Sequence, residues 1–137
     1  MKCWIDPLLS LLAEPRRLRL TVRDGVWVRL VDVPAALESR RYAAEDRIVL
    51  EVRDDFCPWN DGRVALEGGA DGAACVRTDA SPDLMLSSAE LAAAYLGGTT
   101  IGHLARAGRV DEETPGALRR ADAMLRWDPA PWCPEMF

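Results

Sequence analysis

Histidine and lysine are almost missing from this chain of 137 residues: His103 and Lys2 are the single examples of each. With one histidine, any Ser/His/Asp or Cys/His arrangement has a single possible centre. His103 sits between Ile101 and Leu104 on a predicted helix, so it reads as a structural or surface residue. The four cysteines, Cys3, Cys57, Cys75 and Cys133, form no C-x-x-C pair and no histidine-bearing zinc spacing. That excludes a zinc motif and points to buried thiols in a reducing compartment. Glycine-rich phosphate loops of the G-x-G-x-x-G and Walker types are lacking too, so no nucleotide loop is expected. Apolar runs stay short of the roughly 20 residues of a membrane span, and no secretory leader pattern precedes the first charges. A soluble, cytoplasmic protein with no membrane span is expected.

What remains is an ordinary globular composition, 49% apolar and 28% charged. The length fits one domain burying roughly two thirds of its unfolded surface. A formal net charge of −5 argues against a nucleic-acid partner, since phosphate binding needs a concentrated basic surface. The basic pairs Arg16-Arg17, Arg40-Arg41 and Arg119-Arg120 are dispersed among acids and read as solvated faces.

Along the chain, Asp6-Pro7 followed by leucines predicts a short helix stopped at Pro15. Alternation at Leu18, Leu20 and Val22, the Asp24-Gly25 turn, then Val26, Val28 and Leu30 predict a hairpin. After Asp32, a short helix is expected over Pro34 to Arg41, carrying Leu37 inward and polar on its outer side. Arg47 to Arg53 is the clearest strand, with Ile48, Leu50 and Val52 on one face and a mostly wet face opposite. The turn from Phe56 to Gly62 holds Phe56 and Trp59, expected to form a lid against the sheet, whereas the acids just before it, Asp54-Asp55, like Glu112-Glu113, read as solvated. A second hairpin spans Val64 to Thr78 through the glycine-rich 68–72 loop, and Asp83 to Leu86 adds a short strand. Ser87-x-x-Glu90 is a capping box opening a helix that ends at Gly97-Gly98. Two more helices follow, one from about Thr100 to Gly108 and one from Thr114-Pro115 with Leu118, Ala121 and Leu125 inward. Strands first and helices later predict an α+β fold: a mostly antiparallel sheet of five to six strands with helices on one face.

The carboxy-terminal residues, Ala130 to Phe137, are unusual for a chain end. Ends are normally polar and frayed, yet this one carries Trp132, Met136 and Phe137, with Pro131 and Pro134 restricting the backbone. Two readings stand. The tail is a plug closing an apolar gap, or it docks so that the Phe137 carboxylate is held in a dry pocket and serves as an acid or base.

Four ordered motifs carry a resemblance: Gly25 to Leu37, the Asp54-Asp55-Phe56-Cys57-Pro58-Trp59-Asn60 turn, Tyr95-Leu96-Gly97-Gly98, and the terminal Trp132-Cys133-Pro134-Glu135-Met136-Phe137. From Leu18 to Phe137 the chain resembles the carboxy-terminal, sterol-carrier-protein-like domain of the enhanced-intracellular-survival (Eis) family of GNAT N-acetyltransferases. The resemblance implies that residues 18–137 are that domain and that the helical segment 1–17 is the end of a preceding GNAT domain. It also implies acetyl-CoA as cofactor, bound by a domain outside this chain; no residue here matches the Arg/Gln-x-x-Gly-x-Gly/Ala pyrophosphate loop, so the chain alone is expected to be inactive. Its catalytic contribution would be the Phe137 carboxylate, taking the proton from the substrate amine. Trp132, Glu135 and Met136 would line the amine pocket. The preceding GNAT domains of the same polypeptide and the amine substrate are the implied partners, in a homo-oligomeric full-length enzyme.

Two readings of other classes stand beside this one. A free-standing carrier domain would bind a lipid or other apolar ligand between sheet and helices, and needs a cavity there. An oligomerisation module would need neither cavity nor reactive group. Trp27 and Trp59 belong either to the core or to an interface with further domains.

Overall fold

A computed structural model describes residues 11–17, 19 and 26–131. Five strands, β1 (Asp46–Arg53), β2 (Gly62–Gly69), β3 (Gly72–Arg77), β4 (Leu84–Ser87) and β5 (Val110–Glu112), form one sheet in the order β3-β2-β1-β4-β5. Four helices cover it: α1 (Val33–Glu38), α2 (Ser88–Tyr95), α3 (Ile101–Arg106) and α4 (Ala117–Leu125).

The fold is α+β as predicted, and the sheet is mixed. Strand β1 runs antiparallel to β2 but parallel to β4, while β2–β3 and β4–β5 are antiparallel. A parallel pair needs a crossover, and residues 78–83 supply it on the face away from the helices. There Arg63 Nη1 donates to Ala80 O (3.5 Å) and Val49 N to Asp83 Oδ2 (2.8 Å). The crossover explains a departure from the simple alternation read in β1. Ile48, Leu50 and Val52 face the helices as expected, but Val49 and Ala65 on the other face are buried too.

Leu37, Ile48, Leu66, Leu84, Leu91, Ile101 and Met124 meet in the core between sheet and helices. The capping box is present: Glu90 Oε2 accepts from Ser87 N (3.1 Å) and Ser87 Oγ from Ala89 N (3.1 Å). Asp32, expected to precede a helix, caps α1 by accepting from Ala35 N (3.0 Å). The predicted amino-terminal helix and first hairpin lie largely outside the described residues. The second arm of that hairpin, Val26 to Leu30, belongs to no strand of the sheet. Strand β5 was not expected, since three residues between two helices leave no periodicity to read.

Candidate functional site

Phe137, Trp132, Glu135 and Met136 lie outside the described residues. The described chain ends instead in the root of that tail, and the root is built from three separate stretches. Helix α4 stops at Leu125 because Arg126 turns to extended backbone (φ −57°, ψ 140°). The chain then passes over Gly97. A Cβ there would meet Leu125 O and Trp127 N, both at 2.7 Å, and Gly97 holds φ +83°. Both the conformation and the contact demand glycine. A Cβ on Gly98 would touch the Pro131 ring at 3.5 Å, so the Gly97-Gly98 pair forms the floor on which residues 126–131 lie.

Arg40 locks this root from below. Its guanidinium donates to Tyr95 O and, at 3.0 Å, to Leu125 O, the last residues of α2 and α4. Helix carboxyl ends carry partial negative charge and unpaired carbonyls, so a cation there satisfies both. The rings of Tyr42 and Tyr95 lie against the same guanidinium, with centroids 4.8 and 5.4 Å away. Their hydroxyls are spent on α1: Tyr42 donates to Leu37 O (2.7 Å) and Tyr95 to Ala36 O (2.9 Å). Burial lowers the Arg40 pKa from its ordinary value, though an arginine stays charged. Burial likewise raises that of Tyr42, outweighing the nearby Arg40 charge. Arg40 is therefore no part of a solvated face, the reading its neighbour Arg41 had suggested.

The opposite end of α1 is held by a second polar cluster. Asn60, fully buried, accepts from Val33 N (3.0 Å) and donates to Asp54 Oδ2 (3.0 Å) and Val31 O (3.2 Å). Asp54, 3% exposed, accepts at Oδ1 from Cys57 N (2.9 Å), Phe56 N (3.1 Å) and Arg29 Nη2 (2.5 Å). Burial alone would raise the Asp54 pKa, yet the hydrogen bonds from Asn60 and the two backbone N–H groups outweigh it and hold the carboxyl well below the usual range. The expectation of a solvated Asp54 is thus overturned, while Asp55 is exposed. The aromatic lid is overturned as well. Phe56 and Trp59 are 78% and 61% exposed, because the turn is pinned through its polar atoms and directs its rings outward. Trp27, 86% exposed, is no core residue either.

His103 is exposed, and Cys57 and Cys75 are buried free thiols, Cys75 with its pKa pushed up to about 11 by burial. Among the described residues no group of three potential metal ligands converges, and no helix is long and apolar enough to cross a membrane. The void between sheet and helices, bounded by Leu37, Leu50, Leu91 and Met124 among others, measures about 10 Å³. That is the room of one water probe. A pyrophosphate finds no seat at the helix amino ends, each already taken by a side-chain oxygen of the chain itself. Asp32 caps α1, Ser87 with Glu90 caps α2, Thr100 caps α3, and Glu112 accepts from Leu118 N at α4 (3.0 Å). The described residues do not fit acetyl-CoA.

A family profile described as "Sterol carrier protein domain" matches residues 33–134. The chain belongs to the sterol carrier protein domain family. An N-acetyltransferase of Streptomyces avermitilis, named as uncharacterized, is 52% identical over 129 residues, 94% of this chain and 32% of that protein. N-acetyltransferase Eis of Mycobacterium tuberculosis is 41% identical over 127 residues, 90% of this chain and 30% of its own length. The crystal structure of Eis1 from Mycobacterium abscessus superposes with a TM-score of 0.82 at 38% identity, covering 96% of this chain and 33% of that one. This sterol carrier protein domain is thus of the Eis type, and it spans about a third of the length of the curated relatives it matches.

Proposed function

We propose that this chain is the carboxy-terminal domain of an acetyl-CoA-dependent N-acetyltransferase, in which it shapes the amine pocket and supplies the Phe137 carboxylate. The observation that carries the reading is high identity with partial coverage: 94% of the chain matches a segment making up 32% of a relative named as an N-acetyltransferase. On this reading acetyl-CoA is bound by a part of the enzyme outside this chain. The reading places the domain boundary near residue 18, with residues 11–17 exposed before it. They are the end of the preceding domain, and residues 18–137 are the sterol-carrier-like unit.

The part played by this chain is proton acceptance. An ammonium has no lone pair with which to attack a thioester carbonyl, and a carboxylate among apolar neighbours such as Trp132 and Met136 is basic enough to take its proton. The locked root at Gly97, Arg40 and Leu125 supports this role, because a base acts only from a held position. A small void counts against the lipid-carrier reading: ligand pockets run to about 300 Å³ or more, against about 10 Å³ here.

The test is to remove Phe137 from the complete enzyme, or to add two glycines after it, and to follow thiol release from acetyl-CoA with an amine acceptor. A loss of about 1,000-fold is expected, with the circular dichroism spectrum unchanged. Full activity in either variant would sink the catalytic role.

A further inference from the structure

Outside the root of the tail, the surface feature that the fold maintains most firmly is an aromatic one. Val28 and Leu30 turn toward the core while Trp27, Arg29 and Val31 alternate outward, and Val31 is 63% exposed. Phe56 lies under the Arg29 guanidinium (4.8 Å to the ring centroid), and Trp59 Nε1 donates to Val31 O (2.7 Å). These contacts gather Val31, Phe56 and Trp59 into one patch offering on the order of 400 Å² of apolar surface, and Trp27, 86% exposed, stands two residues before Arg29 on the same stretch. Such patches on soluble domains mark interaction sites.

Two details define what the patch accepts. The Trp59 indole N–H and the Arg29 guanidinium already have partners inside the domain, so whatever covers those rings need not bring an acceptor or an acid. The surface beneath is also held: Asp54 accepts from Phe56 N and Cys57 N, and Asn60 ties the turn to Val31 O and Val33 N, which keeps Phe56 and Trp59 outward. Preorganised aromatics around an engaged arginine form the kind of centre around which interfaces are built.

We infer that this patch seats an apolar face of the acetyltransferase portion of the same polypeptide. The inference rests on the reading of the chain as the last third of a longer enzyme. About two thirds of the length of the relatives lies outside the matched segment. The stretch bearing Trp27, Arg29 and Val31 is the part of the described domain that follows most directly on the preceding polypeptide. A tethered partner arriving beside the patch has an effective concentration in the millimolar range, which a second copy in solution lacks.

Hydroxyl-radical footprinting read by peptide mass spectrometry tests this on the complete enzyme and on the 137-residue chain. Oxidation of Trp27, Phe56 and Trp59 is expected to fall about tenfold in the complete enzyme, as water is excluded from the centre of an interface. Equal oxidation of the patch in both forms overturns the inference. So does protection that appears in the 137-residue chain as its concentration rises, which assigns the patch to a second copy. The measurement needs no activity: protection that persists while an enzyme lacking Phe137 stays fully active keeps the docking surface and removes only the catalytic role.

Discussion

The two ends of α1 are held by opposite means and face opposite fates. At its amino end the unpaired N–H groups meet oxygens, Asp32 Oδ1 and Asn60 Oδ1, with the Asp54 carboxylate behind. At its carboxyl end the chain meets a cation, Arg40, which serves the carbonyls of α2 and α4 rather than those of α1. The Arg40 cluster turns its aromatics inward, and Tyr42 is 1% exposed. The Asp54 cluster turns its aromatics out. One lock therefore closes on the chain's own tail, while the other presents a surface to something beyond the domain. A polar cluster by itself does not say whether it serves the core or an interface; the direction of the rings it carries does.

The comparison breaks most severely at Gly97. Valine there forces an L residue to φ +83° and drives Cβ into backbone atoms 2.7 Å away, so a loss of about 4 kcal/mol is expected in urea unfolding. Gly98→Ala, with its Cβ at 3.5 Å from Pro131, should be tolerated. If the two variants are equally stable, the tail root is not packed as described.

Asp54→Ala leaves buried N–H groups of Cys57 and Asn60 without an acceptor and should cost about 3 kcal/mol. The same group sets an acid limit. Its folded pKa lies below the unfolded value of about 3.9, so its contribution is complete above that value and is lost as pH falls toward the folded one. Unfolding midpoints measured from pH 6 downward should drop more steeply in the parent chain than in Asp54→Asn.

Arg40→Ala should cost about 2 kcal/mol, since two helix carboxyl ends lose their donor. Arg40→Lys should recover less than half of that, because an ammonium cannot fork to two carbonyls while lying flat between two tyrosine rings. Recovery of full stability by lysine would show that charge alone matters.

The smallest effect sharpens the contrast. Trp27→Ser and Phe56→Ser should change the stability of the 137-residue chain by no more than about 0.5 kcal/mol. A larger loss would mean that the patch contributes to the core and would merge the two regions into one kind.

Local signals carried much of this fold. Asp32 and the Ser87/Glu90 box announce helix starts because capping is settled within four residues, and Ile48, Leu50 and Val52 announce a strand because alternation is a property of the backbone. Gly97-Gly98 read as a helix end, which it is, but its second task, giving room to Trp127, depends on a contact across 30 residues of sequence. The same limit hid Asp54 and Arg40. An acid or an arginine flanked by its like reads as solvated; the partners that let each be buried are a turn closing on Asp54 through Cys57 and Asn60, with Arg29 arriving from another stretch, and Tyr95 and Leu125 arriving at Arg40 from far along the chain. The parallel pairing of β1 with β4 was likewise settled by a crossover that no local pattern encodes. Composition and periodicity therefore determined the elements and the fold class. Tertiary structure alone decided which polar groups went inside and which aromatics stayed out, because burying a charge or a ring is a balance of partners brought together by the whole chain.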